Sequence, residues 1–235
     1  MLLKKITLVC FVLITFSFNE AQRTLDTSPN DQAETTLDIA AGLREALDLG
    51  IKKQVSKLTQ QDGFYGNSMV KILLPTELQK VDKTLRGLGM GSLADEGLKV
   101  LNRAAEDAVG EATPIFVNAV KAIKFKDAKN ILLGDDSAAT SYLQDKTSTE
   151  LYEKFNPVIK TSFDKVGADQ VWSKIIKKYN GVPFVKKVNP DLTDYVTTEA
   201  LKGVFTMIAV EEKEIRTKTA SRTTSLLQQV FSLQD

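Results

Sequence analysis

The sequence predicts an all-α fold, a single irregular multi-helix bundle of roughly seven to nine helices. Three observations predict it. Apolar residues recur at steps of three and four through most segments after residue 35. No segment shows the apolar/polar alternation of a half-buried strand. Glycine, proline and asparagine punctuate the chain at intervals that suit helices. With 43% apolar residues in a chain of 235, there is enough hydrophobic surface for one core, placed at residues 35–235.

The chain opens MLLKKITLVCFVLITFSFNEAQ, in which Lys4 and Lys5 precede an apolar or hydroxyl run from Ile6 to Phe18. That layout predicts a signal peptide over residues 1–22 and hence an exported protein, periplasmic or secreted. The run is too short to span a bilayer, which takes about 20 apolar residues, and no later segment approaches that length. Cys10 lies inside the apolar run rather than at its end after a small residue, which disfavours a lipoprotein. Residues 23–34 are polar, with Pro29 and no periodicity, and are expected as a flexible linker.

Leu37, Ala40, Leu43, Leu47, Ile51, Val55 and Leu58 then form one apolar stripe, the mark of a long helix. Gly63 and Gly66 in LTQQDGFYGN break it, and MVKILLP reads as an extended connector stopped by Pro75. A helix is expected after Pro75, with Leu78, Val81, Leu85 and Leu88 as its stripe and GLGMGS as its stop. No strand precedes those glycines and no Gly-Lys-Ser/Thr follows, so a phosphate loop fails on context.

Ser92 and Asp95 suggest a capping box for a helix through Leu98, Leu101, Ala105 and Ala108. Its small residues Ala104, Ala105, Ala108 and Ala112 would admit a close neighbour. Pro114 must kink or divide the pattern, which continues as Ile115, Phe116, Ala119, Val120 and Ile123. Asp127 is expected to cap a short helix ending at Gly134. Thr147 with Glu150 suggests a further capping box ahead of LYEKFNPVIKTSF. A helix carrying Val171, Trp172, Ile175 and Ile176 should stop at Asn180 and Gly181, followed by an extended crossover VPFVKKVNP. Asp191 or Thr193 should start a long helix with Val196, Leu201, Phe205 and Ile208 inward, and RTTSLLQQVFSL a last short one.

Composition excludes more than it assigns. The chain has no histidine, and its one cysteine falls in the expected signal peptide. This removes Ser-His-Asp and Cys-His catalysis, thiol redox chemistry and zinc sites built on His or Cys. Removing residues 1–22 leaves equal numbers of basic and acidic residues, so nothing in the overall balance draws the chain to nucleic acid or an anionic membrane. No cofactor and no metal site is predicted, and the carboxylate clusters lack calcium-loop spacing.

LREALDLGI, the DGF turn, ILLP, LNRAAEDA with PIF following, DAKNILLGDDSAATSYL, DLTDYVTTEAL and RTTSLLQQVF, in this order, resemble the bacterial secreted family called domain of unknown function 4197. The resemblance runs from about Leu37 to Phe231. It implies an exported, helical, single-domain protein and carries no assigned activity or site residues.

Four polar clusters are the candidate binding residues. Asn102, Arg103, Glu106 and Asp107 suggest a buried network between helices, a solvated face or a catalytic carboxylate. Asp135 and Asp136, with Thr140, suggest helix capping, with Gly134 in a left-handed conformation, against oxygen-ligand metal binding or acid/base work. In EEKEIR, Glu212 and Arg216 read as an ordinary surface pair while Glu211 can turn inward. Arg222, beside Thr223 and Thr224, suggests a structural ion pair with an inner carboxylate, against substrate recognition. Lys160, Ser162 and Lys165, or Tyr195 beside Lys202, lack the spacing of a base and nucleophile. The resulting expectation is a non-enzymatic exported protein that binds an apolar small molecule or an envelope partner. The alternative is a carboxylate hydrolase on envelope glycans, which needs two carboxyl groups facing each other across a cleft.

Overall fold

Leu43, Leu47, Ile51, Val55 and Leu58 share one face of the first helix and all are buried, and several later helices pack against that helix. The computed structural model describes residues 29–76, 79–89 and 91–234. The expected signal peptide, residues 23–28 of the expected linker, and the side chains of Leu37, Leu78, Val81, Leu85, Val171 and Ile175 lie outside what is described. Among the described residues the elements are α1 (Pro29–Leu58), α2 (Gln79–Gly87), α3 (Gly91–Val109), α4 (Ala112–Lys121), α5 (Phe125–Leu132), α6 (Ala138–Asp164), α7 (Ala168–Asn180), α8 (Leu192–Thr217) and α9 (Ser225–Phe231). A 3₁₀ turn, Thr219–Ser221, precedes α9, and the described residues contain no strand.

The all-α bundle is thus as expected, with α8 near its centre: it packs against α6, α1, α3 and α7. Its buried side chains include Val196, Ala200, Val204, Ile208 and Ile215. α6 and α8 are antiparallel, because the start of α6 meets the end of α8 at Thr140 and Glu212, while Tyr152 meets Asp194 near the start of α8.

Several expected boundaries move. Residues 29–34, expected as linker, belong to α1, whose first residue is Pro29; proline lacks only an amide that the first turn leaves unbonded anyway. Ser92 is already inside α3, and the Asp95 carboxylate goes to Arg86 at 2.7 Å. Asp127 is the third residue of α5 and accepts the Lys124 amide at 3.3 Å, so it caps from within the helix. Thr147 is no cap: α6 runs through it, and its buried hydroxyl bonds back to the Leu143 carbonyl at 2.6 Å. Leu143, Leu151 and Phe155 continue the buried face of α6 past Thr147, and this packing overrides the local capping pattern. Pro114 divides the chain as expected, in the first turn of α4.

Residues 59–75, after α1, run as turns and irregular chain and are held down by side chains. Phe64 is fully buried, and its ring lies where Gly203 of α8 has no side chain; a Cβ there would come within 2.7 Å of the ring.

Candidate functional site

The cluster at Asn102, Arg103 and Glu106 clamps that irregular segment. Asn102 is fully buried; its Oδ1 accepts the Ile72 amide at 2.8 Å and its Nδ2 donates to the Ile72 carbonyl at 2.9 Å and the Leu98 carbonyl at 2.7 Å. One side chain thereby satisfies both backbone polar groups of buried Ile72, as a neighbouring strand would. One turn along, buried Glu106 accepts the amides of Phe64 at 3.0 Å and Tyr65 at 3.4 Å, and pairs with Arg103. Arg103 reaches on to Asp62 at 2.9 Å, at a residue with φ of 65°. The network joins a helix to a loop, and Asp107 stands apart, accepting from Ser162 at 3.3 Å.

At the end of α8 the sequence reading is corrected. Glu212 and Arg216 form a buried ion pair at 2.8 Å, not a surface pair. The Glu212 carboxylate accepts the amides of Ala139 and Thr140, each at 2.8 Å, and the Thr140 hydroxyl at 2.7 Å. These are amides of the first turn of α6, where the helix dipole favours an anion. Arg216 donates to the carbonyls of Leu132 at 3.0 Å and Ile131 at 2.8 Å, at the C-terminal end of α5, where the dipole favours a cation. Glu211 does turn inward, taking Lys53 at 2.6 Å and Gln54 of α1. Arg222 is buried with bonds to the carbonyls of Ile215 and Arg216, both at 3.1 Å, so it serves the C-terminus of α8.

Glu212 therefore occupies the place expected for Asp135 and Asp136. Asp135 accepts the amide of Ser137 at 2.8 Å and its hydroxyl at 2.9 Å, bonds that hold its carboxyl below the usual range and close the turn before α6. Asp136 is an exposed neighbour of Lys213 at 3.9 Å. Gly134 is not in the left-handed region; the positive-φ glycines described are Gly89 and Gly167. Glycine is required at 134 by crowding, since a Cβ would lie 2.5 Å from the Ala138 Cβ and 3.1 Å from the Asn130 carbonyl.

The remaining polar sets are also engaged. Lys160 lies 3.6 Å from Asp164, Lys202 lies 3.7 Å from Glu199, and the Tyr195 hydroxyl donates to the Leu73 carbonyl at 2.7 Å. Glu106 and Glu211 sit in separate ion pairs instead of facing each other across one cleft.

Two features were not legible as a site. An internal void beside Glu211 and Glu212, lined by Leu43, Leu47 and Ile208, has about 20 Å³, room for about one water. An open groove of about 1070 Å³ runs between α6 and α8. Ser141, Gln144, Ser148 and Thr149 form one wall, Thr198 and Thr206 the other, and Leu201, Phe205 and Ala209 add apolar surface. Many of its hydroxyls are already spent: Ser148 bonds the Gln144 carbonyl at 2.6 Å and Thr206 the Lys202 carbonyl at 2.7 Å. At one end Tyr152 donates to Asp194, and this bond, with burial, pushes the phenol up to about 12. The signal available in the sequence was the polar series Ser141, Gln144, Ser148 and Tyr152 at steps of three and four, a spacing that an ordinary solvated helix face also shows.

Comparison with curated proteins and with solved structures gives no match. A family model described as protein of unknown function (DUF4197) matches residues 33–232. Its match spans α3, α6 and α8 and so every cluster described above, and the chain belongs to this family.

Proposed function

We propose that the protein is an exported, non-catalytic binding protein of the cell envelope, and that the α6–α8 groove receives a helical segment of an envelope partner. The groove itself carries this reading. From Ser137 to Tyr152 it follows α6 for about 24 Å at 1.5 Å per residue, the length of about four helical turns. Its walls bear small residues at helical spacing, Ser141 and Ser148 on α6 with Ser137 just before it, and Ala209 on α8, which let a third helix approach closely. Leu201 and Phe205 supply apolar surface for its anchors. The signal-like N-terminus supports the compartment, and the void of about 20 Å³ gives an apolar small molecule little room.

A hydrolase would need a carboxylate free to act, and Glu106, Glu211 and Glu212 are each tied to a cation and to amide donors. The reading is tested by placing a photocrosslinking amino acid in living cells at Ser148, at Thr206 and, as a control away from the groove, at Lys57. The expected result is one adduct of the same mass from both groove positions, none from Lys57, and its loss when Ser141→Trp fills the groove without lowering the melting temperature. Adducts that ignore position, or that survive Ser141→Trp, contradict it.

A further inference from the structure

The loop between α7 and α8 carries an apolar tip that the fold does not use. Phe184 is fully exposed, at 107%, and Val182 is 52% exposed, with Pro183 exposed between them. Phe184 also has a φ of 64°, a conformation that costs a bulky residue energy and that glycine or asparagine would adopt more readily. Folding alone gives no return for a strained phenylalanine in water.

The base of the loop is closed. Asn180 donates to the Val188 carbonyl at 2.7 Å and accepts the Val188 amide at 2.9 Å, the same two-way clamp that Asn102 makes on Ile72. Trp172 donates to the Asn189 carbonyl at 3.1 Å beside it. Residues 181–187 thus project from a fixed neck.

Charge names the occupant. Lys177 precedes the tip in the chain and Lys186 and Lys187 follow it, and no acidic residue occurs in the sequence between Asp169 and Asp191. The neutral balance of the whole chain conceals this local excess. An exposed aromatic tip with lysines before and after it in the chain suits a surface with an apolar layer under anionic headgroups.

We infer that residues 182–187 dock the protein on an anionic phospholipid bilayer, with Phe184 inserted among the acyl chains and Lys177 and Lys187 over the headgroups. The site is separate from the α6–α8 groove and does not depend on it.

The test is cosedimentation of the purified protein with vesicles of phosphatidylglycerol and phosphatidylcholine in equal parts, against phosphatidylcholine alone. The expected result is binding to the anionic vesicles that weakens as salt rises. Phe184→Gly, which relieves the backbone, should lower the partition coefficient about tenfold with no loss of melting temperature. Lys177→Gln with Lys187→Gln should reduce binding to the level seen on phosphatidylcholine. The inference is overturned by no binding to anionic vesicles, by equal binding of Phe184→Gly, or by a dimer that Phe184→Gly dissolves in the absence of any vesicle binding.

Discussion

Glu212 and Arg216, one turn apart on α8, serve opposite ends of two successive helices: the carboxylate takes the first amides of α6 and the guanidinium takes the last carbonyls of α5. Each charge faces the helix terminus whose dipole it complements, and each neutralises the other. The helix ends at the α5–α6 junction, GDDS, are therefore held from α8, while Asp135 closes only the turn at Ser137.

This sets an order for substitutions in the junction. Gly134→Ala should destabilise by about 1–3 kcal/mol, because the added methyl meets Ala138 and the Asn130 carbonyl with no room to relax. Asp135→Ala should cost less, since Asp135 holds only the Ser137 turn, and Asp136→Ala should leave urea unfolding unchanged. A reversed order, with Asp136 the most sensitive, would point to a bound ion at the turn.

Asn102→Ala removes the side-chain partners of both the Ile72 amide and the Ile72 carbonyl at a buried site and should cost about 2–3 kcal/mol by urea unfolding. Asn102→Asp should be no milder: it keeps an acceptor for the Ile72 amide, loses both donors and buries a charge. Hydrogen exchange at the Ile72 amide should speed up in either variant while the buried amides of α8 stay slow, since the segment loosens before the bundle does.

The Tyr152 phenol gives a pH signature. Its folded value, about 12 against 10.0 unperturbed, is raised by the Asp194 bond and then by burial, so the folded state holds its proton more tightly than the unfolded state. The stabilisation is complete below about pH 10 and is lost as pH rises toward 12. The stability gap between the parent and Tyr152→Phe should narrow across that window, and the highest-titrating phenolate absorbance should vanish in the variant. A gap that stays constant from pH 9 to 12 would show that Tyr152 is not the group with the raised value.

The fold class was legible because helical period survives in nearly every segment, and Asp191, read as a possible N-cap, does accept the Asp194 amide at 2.9 Å. Asn102, Glu106 and Glu211 were legible as inward candidates, since Leu98, Leu101, Ile208 and Ile215 mark the core faces beside them. What escaped depended on how helices are rotated against each other. Glu212 and Arg216 have the spacing of a surface pair, and only the burial of α8 among α1, α3, α6 and α7 turns that pair into a junction. Thr147 and Glu150 carry a capping pattern that continuous packing of Leu143 and Leu151 overrides. The loop at Phe184 was read as an extended crossover, because neither a positive φ nor the Asn180 clamp has a mark in the pattern of apolar residues.

That the buried charges hold helices together, leaving the surface to do the binding, is tested most directly by a double-mutant cycle on Glu212 and Arg216 in urea unfolding. Glu212→Ala and Arg216→Ala should each cost about 3–5 kcal/mol, since each leaves the other charge buried alone. The double variant should cost less than their sum by about 1–3 kcal/mol, because it removes the orphaned charge with its partner. Single variants within about 1 kcal/mol of the parent, adding without coupling, would be the behaviour of an exposed pair and would contradict the structural role assigned to Glu212.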